Sequence, residues 1–215
     1  MEHVDVAVIG GGQSGPATAH ALRRRGLEPV VLEASAQASG SWPRYYDSLT
    51  LFSPAGHSSL PGLPFGGDPD RYPHRDEVVA HLLRYADRLD ADIRTGVRVR
   101  EVGIADGVFT LAPEEGGHLS ARGVVAASGT FGRPYRPALP GLGDFAGAVL
   151  HATAYRAPKP FAGLWVPPRP EAEGPPPAGG WGRVVVVGAG NSAVQIAAEL
   201  AVHARVTLAA HLRAR

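Results

Sequence analysis

The sequence predicts an α/β protein, and two observations carry that prediction. A short apolar run of strand type at residues 4–9 leads into a glycine cluster at 10–15, an alanine-rich helical stretch and a second apolar run at 29–32. The same order returns near the end: an apolar tetrad at 184–187, a glycine turn at 188–193, another alanine-rich stretch and the strand-type residues 205–209. One device therefore occurs twice, which is weak internal duplication and not a solenoid repeat. With 44% hydrophobic and 19% charged residues among 215, the chain can bury a core and is not a charge-rich disordered polymer.

Taken in order, the helix after the first turn runs to about Arg25. Residues 76–89 have helical periodicity, with Val78, Val79, Leu82, Leu83 and Ala86 on one face and Asp76 as a candidate cap. Residues 97–102 and 108–111 and the apolar run 124–127 read as further strands. Residues 157–182 are rich in proline and glycine without any period, so they read as a loop, linker or insertion. Three segments result: 1–156, 157–182 and 183–215.

Composition excludes several classes of function. Twenty-one basic against 20 acidic residues leave a formal charge of +1, and no basic run exceeds Arg23-Arg24-Arg25, so nucleic acid is not an expected partner. Lys159 is the only lysine, a skew typical of GC-rich coding and not of a polyanion-binding surface. Cysteine is absent, which removes disulfide scaffolds, thiolate nucleophiles and CxxC redox chemistry from this sequence. The nine histidines form no HExxH or close pair, so no metal is expected. No apolar stretch approaches the roughly 18 residues that span a bilayer, and the glycine cluster follows Met1 too closely for a signal peptide. The expectation is a soluble, cytoplasmic chain with no membrane partner.

The glycine turns carry the chemistry. Gly10, Gly12 and Gly15 form a GxGxxG, with Gln13 and Ser14 between. A pyrophosphate has to approach backbone N–H groups at a helix N-terminus, where the macrodipole favours negative charge. Gly10 permits the tight turn, Gly12 leaves space for phosphates, and Gly15 lets helix and strand pack closely. Glu33, closing the second strand, stands where a carboxylate would accept a ribose hydroxyl. The second turn, Gly188-Ala189-Gly190-Asn191-Ser192-Ala193, is a GxGxxA, and no acid ends its second strand. Ala209-Ala210-His211 stand there instead, with Arg213 and Arg215 beyond, a pattern that leans towards a 2′-phosphate and hence NADP. Two such turns predict two Rossmann-like domains and two dinucleotides: FAD at the first, a nicotinamide at the second, and hydride transfer between them.

Phe145, Gly147, His151 and Tyr155 fit FxGxxxHxxxY at all four fixed positions. Gly40-Ser41-Trp42, Tyr46-Asp47-Ser48-Leu49, Pro61-Gly62-Leu63-Pro64-Phe65, Arg75-Asp76-Glu77-Val78-Val79 and Ala127-Ser128-Gly129-Thr130 follow in order. This pattern resembles the class B flavin-dependent monooxygenases over nearly the whole chain outside the proline-rich segment. The resemblance implies an FAD-binding domain followed by the start of an NAD(P)-binding domain. It places FAD on Gly10, Gly12, Gln13, Ser14, Gly15, Glu33, Ser41, Trp42, Val99, Ser128 and Gly129, and NADPH on Gly188, Gly190, Asn191, Ser192 and Ala193. His151 and Tyr155 become positioning residues between domains. The implied cycle reduces FAD with NADPH and passes one oxygen of O2, through a C4a-hydroperoxyflavin, to a small nitrogen- or sulfur-containing substrate. Tyr155-Arg156, where Baeyer–Villiger enzymes usually carry Trp-Pro, leans towards the N- and S-oxygenating, or small bacterial, flavin monooxygenase branch.

Two departures qualify the resemblance. Residues 164–181 intervene where relatives run almost directly into the second strand. The chain also stops at the second strand of the nicotinamide domain, so the expected partners include a missing C-terminal segment or a second copy of the chain. A non-catalytic FAD-binding fragment and an NAD(P)H-dependent flavin reductase stay open beside the monooxygenase, although the absent cysteines argue against dithiol chemistry.

Overall fold

The computed structural model describes residues 2–164 and 183–210. The chain divides into two units, one made of residues up to Tyr45 and Thr50–Arg136, the other of Tyr46–Leu49 and residues from Pro137 onward.

In the first unit, β1 (Glu2–Ile9) lies between β2 (Pro29–Glu33) and β6 (Leu119–Ala126), parallel to both. Beyond β2 comes β3 (Asp92–Thr95), also parallel; beyond β6 come β5 (Val108–Pro113) and β4 (Val99–Ala105), antiparallel, giving the order β3-β2-β1-β6-β5-β4. Every residue of β2 is buried, as an inner parallel strand requires, and this explains its unbroken apolar run. One face of the sheet packs Ala7, Val30, Leu32, Leu111, Leu119 and Ala121 together. On the other, Val8 and Val31 meet Ala19 of α1 (Ser14–Arg23). Because β1, β2 and β6 are parallel, their C-terminal ends share one edge, and the glycine turn that opens α1 lies there.

The boundaries differ from the sequence expectation in informative ways. The first helix stops at Arg23, two residues short of Arg25. The last strand of this sheet begins at Leu119, its first half hidden in the sequence by Ser120 and Arg122. β3 has no apolar period to announce it in the sequence: it is polar and its Arg94 bonds Asp92 and Glu2, the latter at 2.7 and 2.5 Å. Helix α2 (Arg75–Arg88) buries Val78, His81, Leu82 and Tyr85, so its inner stripe includes a histidine and a tyrosine, and Val79, Leu83 and Ala86 only flank it. Its entry is tied by Glu77, whose carboxylate accepts from the His74 N–H at 2.9 Å, while Asp76, the expected cap, pairs with Arg75 at the surface.

In the second unit, β7 (Arg183–Val187) and β8 (Arg205–Ala209) pair in parallel, joined by α3 (Asn191–Leu200). The segment from Pro137 to Arg156, read from the sequence with the first domain, groups with this unit. Lys159–Leu164 forms a short 3₁₀ turn at the front of the proline-rich segment. Residues 165–182, most of the predicted insertion, and His211, Arg213 and Arg215 lie outside the described residues.

Candidate functional site

Three strand ends converge on the first glycine turn. The Gly10 N–H donates to the Leu32 carbonyl at 2.8 Å and the Ala127 N–H to the Ile9 carbonyl at 2.8 Å. Gly10 has φ +112°, and a Cβ there would lie 2.4 Å from the Ala127 carbonyl oxygen. A Cβ on Gly15 would lie 1.8 Å from the Gly10 carbonyl oxygen, so both residues must be glycine for the turn to close. Gly12 is different. The nearest atom to a Cβ there is the Gly40 Cα at 3.9 Å, so its missing side chain leaves room on the open side of the turn. Helix α1 then starts with no side-chain cap and no acid in its first turn, which suits an incoming anion. The geometry fits a diphosphate-bearing dinucleotide.

Glu33 is buried beside this turn. One carboxylate oxygen accepts from the Gly11 N–H at 2.5 Å; the other accepts from the N–H and hydroxyl of Ser35 at 2.7 and 2.6 Å. These bonds fix the carboxylate and leave acceptor capacity for a ribose hydroxyl. Gly40, at φ +57°, comes so close that a Cβ on it would sit 2.7 Å from the Gly12 Cα. Two residues on, the Trp42 indole N–H donates to the Gln13 side-chain oxygen at 2.7 Å, and its ring packs against Ala55, Phe65, Val78 and Leu82. Ser41 opens the 3₁₀ turn Trp42–Arg44 and accepts from Arg44 at 3.3 Å. The structure thus brings together Gly10, Gly12, Gln13, Ser14, Gly15, Glu33, Ser41, Trp42 and, beyond Ala127, Ser128 and Gly129. Val99 opens β4 with its side chain against the sheet core, and the backbone bonded to Glu33 and Ser35 is that of Val97 and Gly96.

In the second unit, Gly188 has φ +137° and a Cβ on it would meet Ala193 Cβ at 3.5 Å; open space surrounds Gly190. Gly190 precedes α3, whose first turn, from Asn191 through Ser192 and Ala193, has no side-chain cap at Gly190 and no acid. This arrangement also fits a dinucleotide phosphate. His151 Nδ1 accepts from the Thr153 N–H at 3.1 Å and so caps the 3₁₀ turn Ala152–Ala154 that delivers Tyr155. Tyr155 donates its hydroxyl proton to Glu199 Oε2 at 2.7 Å, and Tyr46 donates to Gln195 Oε1 at 2.9 Å. Burial, then the bond to Glu199, holds the Tyr155 phenol well above its ordinary range, so it stays a donor. Sequence reasoning missed Tyr46, Gln195 and Glu199 as partners; the available signal was two polar residues four apart on the apolar stripe of a helix.

Among the described residues no group of three or more His, Asp or Glu could hold a metal, and no helix is long and apolar enough to cross a membrane.

Residues 7–166 match the sequence profile of the family described as pyridine nucleotide-disulphide oxidoreductase. A CzcO-like uncharacterized oxidoreductase of Geobacillus kaustophilus is 34% identical, the match covering 93% of this chain and 52% of that protein. The indole-3-pyruvate monooxygenase YUCCA1 of Oryza sativa subsp. japonica is 33% identical over 91% of this chain and 45% of its own. A flavin-containing monooxygenase from Stenotrophomonas maltophilia has a similar structure, with TM-score 0.87 and 38% identity, covering 99% of this chain and 59% of that one. The chain spans about half the length of the curated relatives it matches.

Proposed function

This chain belongs to the pyridine nucleotide-disulphide oxidoreductase family, on its flavin-dependent monooxygenase branch, and from that premise we propose that it serves an FAD- and NADPH-dependent monooxygenase reaction on a small nitrogen- or sulfur-containing substrate. The observation that carries the reading is the pair of glycine turns, one in each unit, each closed by forced backbone contact or positive φ and each opening a helix free of caps and acids.

FAD, held by the backbone N–H groups where the glycine turn opens α1, Glu33 and the Ser41-Trp42 loop, would supply the redox and oxygen chemistry when bound. The chain's own residues bind and orient. The first turn of α1 takes the diphosphate, Glu33 takes a ribose hydroxyl, and Trp42, pinned by Gln13, keeps its loop on Gly12. At the second turn, Gly188, Gly190 and Asn191 to Ala193 take the nicotinamide dinucleotide. NADPH is favoured over NADH because β8 ends on Ala209 without the carboxylate that β2 places at Glu33. This chain has no cysteine, so a dithiol reaction on its own residues is not the use of this site.

The test begins with the chain purified without added flavin, its visible spectrum recorded and its flavin identified after denaturation. Stoichiometric FAD, bleached anaerobically by NADPH, is expected. Reoxidation with ¹⁸O₂ should then put one labelled oxygen into a thioether, a tertiary amine or indole-3-pyruvate, the acid named for the rice relative. Protein that stays colourless after incubation with FAD overturns the cofactor assignment. Reduction that returns all the O2 as hydrogen peroxide, with no labelled product, makes the chain a flavin reductase instead.

A further inference from the structure

The inward stripe of α3 runs Ser192, Gln195, Ile196, Glu199, Leu200, the i, i+3, i+4, i+7, i+8 pattern of a buried helix face. Ile196 and Leu200 are 5% and 2% exposed, so the neighbouring Gln195 and Glu199 are drawn into a partly dry environment. A polar group placed there is costly unless it is hydrogen-bonded, and a carboxylate more so. Each has a tyrosine. Tyr46 and Tyr155 are both 2% exposed, with ring centroids 6.0 Å apart, and they deliver their hydroxyls to Gln195 and Glu199, one helical turn apart.

The local backbone sets this pair up. Asp47 N–H donates to the Arg156 carbonyl at 2.8 Å, which draws the segment carrying Tyr46 alongside the one carrying Tyr155. The His151 ring caps a single 3₁₀ turn, and Tyr155 is the residue on which that turn ends. The four-residue spacing of His151 and Tyr155 therefore has a physical reason: cap, one turn, then the tyrosine.

We infer that Tyr46 and Tyr155 are positioning residues that clamp α3 through Gln195 and Glu199 and so fix the direction in which its N-terminal N–H groups meet the nicotinamide dinucleotide. A helix is stiff along its length, so pinning its second and third turns orients the first. The clamp rests on the proposed role of the second turn for its consequence, although not for its geometry.

The experiment uses the whole chain and two readouts. Hydrogen exchange follows the α3 amides of residues 194–198, and fluorescence titration gives the NADPH Kd, in wild type, Tyr155→Phe, Glu199→Gln, Glu199→Leu and the Tyr155→Phe/Glu199→Leu double variant. Loss of a charge-assisted bond should speed α3 exchange about tenfold and weaken NADPH by a similar factor in Tyr155→Phe, with FAD content unchanged. Glu199→Gln keeps an acceptor oxygen and should lose less than about threefold, while the double variant should be no worse than Tyr155→Phe/wild-type Glu199. Unchanged α3 exchange overturns the clamp, as does acceleration spread equally over β1 and α1. If α3 responds as described but wild type binds no NADPH, the clamp stands and the cofactor reading of the second turn falls.

Discussion

Gly12 and Gly15 are three residues apart and predict opposite failures. Alanine at position 15 would drive its Cβ to 1.8 Å from the Gly10 carbonyl oxygen, so Gly15→Ala should cost several kcal/mol of stability, on the order of an overpacked core, and should appear as a large drop in denaturation midpoint. Alanine at position 12 meets nothing closer than 3.9 Å, so Gly12→Ala should denature within about 0.5 kcal/mol of wild type yet lose FAD, as read by the flavin:protein ratio. His81 makes a different point. It is 2% exposed, stacks on Phe65 with centroids 4.5 Å apart, and among the described residues neither ring nitrogen has a hydrogen-bond partner. Burial, and then the nearby Arg84 charge, push its pKa below the usual 6.5. The unfolded chain therefore binds a proton there before the folded one does. Stability from this site is full above about pH 6.5 and is lost as pH falls through the lowered folded value. His81→Phe should stabilise the protein by about 1 kcal/mol and flatten the acid limb, measured by denaturant titration between pH 5 and 7. The glycines were legible because each answers to a constraint in its own turn. His81 was not, because helical period identifies a buried position by apolar character and this side chain has little.

At the scale of elements, the same distinction separates what the sequence yields from what it hides. β1 and β2 announce themselves as apolar runs because inner parallel strands are covered on both faces. β3 did not, because it joins the sheet through backbone pairing to β2 and through Arg94's bonds to Glu2 and Asp92, which no apolar period registers. The loop at 40–44 was legible only by resemblance; its physical anchor is the Trp42 N–H on Gln13, 29 positions away. Trp42→Phe keeps an aromatic ring on the Ala55, Phe65, Val78 and Leu82 cluster but removes that donor. It should cost about 1 kcal/mol in chemical denaturation, against about 3 kcal/mol or more for Trp42→Ala, which also vacates the cluster. A Phe variant as damaging as the Ala variant would mean that the hydrogen bond, and not the packing, holds the loop.

For the molecule as a whole, chain order and spatial grouping disagree, and this was beyond sequence reasoning. The first unit is interrupted by Tyr46–Leu49, four residues that group with the second, and the second gathers Pro137–Arg156 as well. Grouping of this kind depends on partners far away in sequence, such as Tyr46 with Gln195, which turn signals and periodicity do not encode. The two units carry one glycine turn each, so their ligands should act separately. A ligand that binds only the folded state raises protection by RT ln(1 + [L]/Kd) in the region whose opening breaks its site, about 2.7 kcal/mol at a hundredfold excess over Kd. FAD should therefore slow exchange in β1, α1 and β2, where Gly10 to Gly15 and Glu33 lie, and leave β7 and α3 nearly unchanged. NADPH should do the reverse, protecting β7 and the first turn of α3 and leaving β2 as it was. Residue-resolved hydrogen exchange with each ligand added alone checks both halves. Protection by NADPH centred on α1 would assign the nicotinamide to the first turn. Equal protection of both regions by either ligand would mean that the units open together and that the division into two is not a division in stability.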